Sequence, residues 1–254
     1  MGKAILQGLS TFYPKEYLLS CDLLEESRRF SESLGIRSLV EAKILVEEAD
    51  FLILAVKPKE ALGVLYDISE KMDNSKVLLS IVAGLSTRRI SEALKEKGRI
   101  LRGMPNLPLV LGEGAIGLCG GPRAGEEDLK FTKSLFSNLG EVVEVREDLI
   151  DAVTALSGSG PAYFALFIEA MTDAGVRMGL SREDALRLSV KTALGTAKMI
   201  LQGFHPALLK EEVMSPGGTT AEGIYILELK GVRGAIIEAF FKAMLKAKEL
   251  SDEK

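Results

Sequence analysis

The apolar run Phe51-Leu52-Ile53-Leu54-Ala55-Val56, closed by Lys57-Pro58, constrains this chain more than any other segment. A strand with no polar face has nothing to offer water, so it must be covered on both sides, as in a parallel sheet layered between helices. Pro58 suits the first turn of a following helix, where its missing N–H costs nothing. Other β-rich runs recur at Tyr17–Cys21, Lys76–Ala83, Ile100–Met104, Ala115–Cys119 and Glu141–Val145. Helical patterns separate them at Leu23–Leu34, Pro58–Met72, Ser86–Lys97 and Glu126–Leu139. Strands and helices alternating at this spacing predict a doubly wound α/β domain over residues 1–148.

The pattern changes near Asp148. Residues 149–254 read as helices only, at Ile150–Leu156, Pro161–Met178, Arg182–Leu201, Pro206–Val213, Ala221–Lys230 and Val232–Leu250. Tyr163-Phe164-Ala165-Leu166-Phe167-Ile168 is apolar on more than one face, and such a helix needs cover all round. A second copy of the chain is the expected source.

Charge and composition exclude several functions. Thirty-two Lys and Arg against 36 Asp and Glu give a net charge of −4, a poor match to a polyanion, so nucleic acid is not an expected partner. No apolar segment approaches the roughly 20 residues that cross a bilayer, and the N-terminus has no secretory apolar region. The expected compartment is the cytoplasm, without a membrane partner. Cys21 and Cys119 lack metal-ligand spacing and read as small residues in or near a core. The single histidine, His205, precedes Pro206 and reads as a helix cap; no metal site is expected. With no acid–base constellation visible, an enzyme on this chain needs a borrowed reagent, and a hydride-donating cofactor fits.

Three loops precede or join helices. In Ser157-Gly158-Ser159-Gly160-Pro161, Ser159 or Gly160 is placed to cap, with Pro161 first in the helix. Ser215-Pro216-Gly217-Gly218-Thr219-Thr220 opens a helix near Ala221; consecutive glycines and the helix dipole turn N–H groups toward one point, a cradle for a carboxylate. Met104-Pro105-Asn106 leaves the strand Ile100–Met104, and Ala55-Val56-Lys57-Pro58 leaves another, at the sheet edge where ligands gather. For any one loop, a capped helix start is a sufficient explanation, and Lys57 reads equally as a solvated lysine or an anion ligand.

Together, Ala155-Leu156-Ser157-Gly158-Ser159-Gly160-Pro161-Ala162-Tyr163, His205-Pro206 and Ser215-Pro216-Gly217-Gly218-Thr219-Thr220-Ala221-Glu222-Gly223 resemble pyrroline-5-carboxylate reductase. Ala55–Pro58 and Arg102-Gly103-Met104-Pro105-Asn106 sit where that family has its N-domain loops, so the resemblance covers essentially the whole chain. It implies an N-terminal Rossmann-like domain over 1–148 and an all-helical substrate-binding and dimerisation domain over 149–254. It implies reduction of 1-pyrroline-5-carboxylate to L-proline by NADPH or NADH, in a homodimer, with a larger ring of dimers as a further expectation. Carried over by position, Gly217, Gly218, Thr219 and Thr220 bind the substrate carboxylate, and the Thr220 hydroxyl serves the ring nitrogen. Ser157, Gly158, Ser159, Gly160 and Pro161 shape the substrate pocket. Gly2, Asp22, Ala55, Val56, Lys57, Pro58, Met104, Pro105 and Asn106 face the cofactor.

The front end departs from the family, which opens with a strand and Gly-x-Gly-Asn-Met-Gly. Met1-Gly2 here matches only the end of that fingerprint, leaving the first strand and two glycines out. The resemblance implies either a natural chain that starts upstream, which is the expectation, or one impaired in cofactor binding and retained as a dimeric scaffold. Asp22 stands where the family more often has Ser, Thr or Asn, which predicts some use of NADH. A third reading, a 2-hydroxyacid reductase on a similar plan, has only Lys191 to offer as an acid.

Overall fold

A computed structural model describes residues 1–252. The first half runs α1 (Gly2–Phe12), β1 (Leu19–Cys21), α2 (Glu25–Ser33), β2 (Arg37–Leu39), α3 (Ala42–Glu48), β3 (Phe51–Leu54), α4 (Pro58–Ile68) and β4 (Val77–Ser80). It continues through α5 (Thr87–Ala93), β5 (Arg99–Met104), β6 (Gly114–Gly120), α6 (Glu126–Phe136) and β7 (Gly140–Glu144). The strands fall into two sheets, a parallel β1–β2 pair and a five-stranded sheet in the order β3-β4-β5-β6-β7. In the larger sheet β3, β4 and β5 are parallel, with Phe51 opposite Val77 and Val77 opposite Arg99.

Alternation across the large sheet makes two cores. Leu52, Leu54, Leu78 and Ile100 pack with Ala61, Leu65 and Ile68 of α4 and Ile90 of α5. Val77, Leu79 and Leu101 face the other way, toward Ile5 and Leu9 of α1 and Phe136 of α6, joined at the margin by Phe51 and Ile53. Of the apolar run, Leu52 and Leu54 are buried in one core, Phe51 and Ile53 are half-buried at the margin of the other, and Ala55 is exposed, because β3 lies at the edge of this sheet.

Several local details differ from the sequence reading. β6 pairs antiparallel with β5, because a 3-10 turn over Leu107–Leu111 returns the chain directly instead of through a crossover helix. Tyr17 belongs to a 3-10 turn, so the first strand is shorter than expected. β2 and α3 were not anticipated: three residues with an exposed Arg37 carry no readable alternation, and α3 spans only seven.

The helical part contains α7 (Ile150–Val153), a π-helical segment (Thr154–Gly158), α8 (Gly160–Arg177), α9 (Arg182–Leu201), α10 (Pro206–Val213), α11 (Thr219–Leu229) and α12 (Val232–Asp252). Tertiary contacts divide the chain into two compact units: residues 1–159 with the chain from Ala243 onward, and residues 160–242. The sequence boundary at 148 lies ahead of this division, where the helical pattern starts. In the second unit α8 and α9 meet at Gly175, where an added Cβ would stand 2.8 Å from that of Ala185. Its apolar residues are mostly exposed, among them Phe164, Leu166, Phe167, Leu188, Ile226 and Ile237. Among the described residues, no helix is long and apolar enough to cross a membrane.

Candidate active site

Within the first unit, the exit of β5 is tied to the start of the helical part. Pro105 and Asn106, both buried, lead from β5 into the 3-10 turn. Asn106 is 7% exposed, and both ends of its carboxamide are engaged. Its Oδ1 accepts from the Ala115 N–H at 2.9 Å, and its Nδ2 donates to the Ser157 carbonyl at 3.0 Å. A backbone N–H can only donate, which fixes the orientation of the amide. Beside this link, a Cβ added at Gly158 would stand 3.2 Å from the Met104 Cε. Met104, Asn106, Ser157 and Gly158 are thus brought together.

The Ser157–Pro161 segment is not a capped loop. The expected cap at Ser159 or Gly160 does not form, because the backbone stays helical from α7 through the π segment into α8. Its hydroxyls bond backward instead: Thr154 to the Ile150 carbonyl at 2.8 Å and Ser157 to that of Val153 at 3.0 Å. The Ser159 N–H donates to the Thr154 carbonyl at 2.9 Å, five residues back, which is the π register.

At the other strand exit, Ala55 and Lys57 are exposed, and Lys57 occupies the cap position of α4 with Pro58 at its first turn. A Cβ added at Gly2 would lie 3.0 Å from that of Ala55, so α1 starts hard against the end of β3. The start of α1 carries no side-chain cap, leaving its first N–H groups for an anion. Asp22 follows β1; its Oδ1 accepts from the Leu24 N–H at 2.8 Å, while Arg28 Nη1 donates to the carbonyls of Asp22 and Leu23 at 2.8 Å each.

An ionic cluster around the buried Arg102 was not singled out from the sequence. Arg102 of β5, its side chain 7% exposed, lies 3.6 Å from Glu147 and 3.9 Å from Asp151. Glu147 accepts from the N–H and hydroxyl of Thr87 at 2.7 and 2.6 Å, and Asp151 from Ser251 at 3.2 Å. Cys119, facing Arg102 across the ladder, has its thiol pushed up to about 11 by burial and by the charge of Glu147. Burial and Asp22 also raise Cys21, so neither is a ready thiolate.

In the second unit, Gly217 takes φ +65° and turns the chain so that the Gly218 N–H donates to the Ser215 carbonyl at 2.9 Å. Gly218 caps α11 through its backbone alone, and a Cβ there would collide with Ser215 Oγ. Thr219 and Thr220 are the first two residues of α11, which starts two residues before the Ala221 at which the sequence placed it. With no side chain capping this end, the N–H groups of Thr219, Thr220 and Ala221 are available to an anion. His205 caps α10, its Nδ1 accepting from the Ala207 N–H at 3.3 Å, and Lys191 is exposed in the middle of α9.

A Rossmann-like sheet with an anion-ready helix start at its strand exits, joined to a helical unit, defines a nicotinamide-dependent oxidoreductase of two parts. Residues 147–250 match the family model for pyrroline-5-carboxylate reductase dimerisation, and residues 1–84 one described as NADP oxidoreductase, coenzyme F420-dependent. Pyrroline-5-carboxylate reductase from Methanosarcina acetivorans is 41% identical, over 98% of this chain and 94% of the relative. Among solved structures, a pyrroline-5-carboxylate reductase from Coxiella burnetii matches with a TM-score of 0.92 at 32% identity, over 98% of this chain and 94% of that one. The Plasmodium falciparum pyrroline carboxylate reductase with NADP bound matches with a TM-score of 0.89 at 33% identity, over 99% and 94%. This chain belongs to the pyrroline-5-carboxylate reductase family. Nothing in the fold or in these comparisons favours the scaffold reading.

Proposed function

We propose that this chain reduces the C=N bond of 1-pyrroline-5-carboxylate to give L-proline, with residues 1–148 holding the cofactor and 149–254 the substrate. The observation that carries the reading is the start of α11, where the Gly218 cap leaves the first N–H groups without a side-chain partner and Thr219 and Thr220 occupy the first turn. A carboxylate is the natural ligand for such a terminus.

NADPH or NADH supplies the hydride when bound. Gly2, Ala55, Val56, Lys57, Pro58, Met104 and Pro105 line its side, and Asp22, with one carboxylate oxygen beyond its bond to Leu24, accepts from a ribose hydroxyl. Gly217 through Thr220 anchor the substrate carboxylate, while the turn from Ser157 to Pro161 supports the ring. Thr220 donates its hydroxyl hydrogen bond to the ring nitrogen, which ends the reaction with one more proton as the imine carbon gains hydride. The hydrogen bond to the neutral imine nitrogen makes its carbon more electrophilic, and a proton relayed from water through that hydroxyl balances the hydride, so alignment is the main demand on the protein. The exposed apolar faces of residues 160–242 support a homodimer, and a ring of dimers and a cytoplasmic setting belong to the same proposal.

The test is oxidation of NADPH and of NADH by the purified chain with and without pyrroline-5-carboxylate. Substrate-dependent oxidation with both cofactors is expected; none from a folded dimer would sink the reading. Thr220→Val keeps the side-chain shape and removes the hydroxyl, and is expected to lower kcat about 100-fold. An unchanged kcat would remove Thr220 from proton delivery.

A further inference from the structure

We infer that Asn106 is a positioning residue, holding the Ser157–Gly160 turn at a set distance from the exit of β5 instead of serving as a cofactor ligand. The inference rests on the proposed function only in what the turn is for; the link itself stands on this chain's geometry.

The chemistry begins at Pro161. In an α-helix the N–H of residue 161 would donate to the carbonyl of residue 157, but proline has no N–H. The Ser157 carbonyl, at the end of a segment wound in the π register, therefore has no N–H four residues on to accept from. Asn106 Nδ2 takes that carbonyl at 3.0 Å. The other end of the same carboxamide accepts from Ala115 at the start of β6 at 2.9 Å, so the side chain is held in one rotamer from both sides. With both ends engaged and 7% exposure, the Asn106 side chain has little left to offer a ligand. What it controls is the seat of Gly158, whose missing side chain leaves room for Met104 at the strand exit. Ligands in open α/β sheets lie beyond such exits, so a shift of this turn reaches the reacting ring without any lost ligand contact.

Asn106→Asp separates the two bonds. A carboxylate still accepts from Ala115 but cannot donate to the Ser157 carbonyl. The expected result is a folded dimer with faster amide hydrogen exchange across residues 154–160 by tenfold or more. Turnover should fall about 10- to 100-fold in kcat, with KM for the cofactor within about twofold of the parent. Unaltered exchange in that segment, or a raised cofactor KM at unchanged kcat, would overturn the inference. A second measurement needs no variant. In the unmodified protein with labelled asparagine, the Asn106 side-chain amide protons should exchange slowly, and their resonance should stay in place as NADP+ is titrated in. A resonance that moves directly with occupancy would make Asn106 a ligand. Absence of turnover in the parent would defeat the proposed function alone, since the exchange and resonance readouts still decide the role of Asn106.

Discussion

The two compact units bury their apolar residues in opposite ways. In the first, Leu52, Leu65, Leu78, Ile100 and Phe136 vanish into cores on both faces of the sheet. In the second, the buried positions within helices are Gly160, Thr172, Gly175, Ala185, Ser189 and Leu209, small residues apart from one leucine. Its large apolar side chains stand in solvent, with Phe164 at 65% exposure. A sheet with helices on both sides closes its own core, whereas helices apolar on several faces reach a comparable state only against a further copy. The first unit thus covers its own apolar residues, and the second, which lies within the match to the pyrroline-5-carboxylate reductase dimerisation model, leaves its own exposed.

The largest expected effect breaks that contrast at its exposed end. Phe164→Glu costs little in a single chain but places an unpaired charge where the partner should pack. Sedimentation should report dimer association weakened more than tenfold; an unchanged oligomer would place the interface elsewhere. Next comes the ionic cluster of the first unit. Arg102→Met removes the cation shared by the partly exposed Glu147 and Asp151 and is expected to cost about 1–2 kcal/mol in denaturant unfolding. A loss below half of that would mean that Thr87 and Ser251 satisfy the carboxylates without the guanidinium. In the second unit, Gly217→Ala forces an L-residue into the left-handed region and should cost about 1–2 kcal/mol while loosening the start of α11. Weaker substrate binding with an unaltered dimer is the expected signature, read by KM and gel filtration.

The smallest effect concerns Cys119. Its folded thiol ionises near pH 11 and the unfolded one near 9.0, so above pH 9 the unfolded state holds fewer protons. Stability is therefore unaffected well below pH 9 and falls as pH rises from there toward 11. Cys119→Ala should flatten that alkaline decline; a decline of identical slope in the variant would assign it to other groups.

Much of this was legible beforehand because periodicity reports burial. The run beginning at Phe51 had to form a strand between two cores, and Ser215–Thr220 had to turn through glycine into a helix. Arg37–Leu39 was not readable, since three residues define no period, and neither was the antiparallel β6, since direction depends on where the chain returns. The Ser157 segment was misread as a capped loop because Ser, Gly and Pro favour helix starts locally. Its true state depends on hydroxyls that bond back into the same helix and on the amide of Asn106, 51 residues away. Read as a loop, the segment gave no reason to ask where the Ser157 carbonyl finds its donor; the tertiary structure supplies Asn106.

By itself, the sequence determined the layered first half, the helical second half, and the glycine-rich turns that carry the family likeness, because all three follow from local pattern and backbone freedom. Only the tertiary structure decided the split of the strands into two sheets, the direction of β6, the burial of Arg102 between two acidic residues, and the commitment of Asn106 to Ser157. Each of those depends on groups distant in sequence meeting at one point, where hydrogen bonding and desolvation choose between arrangements that local propensity leaves equal.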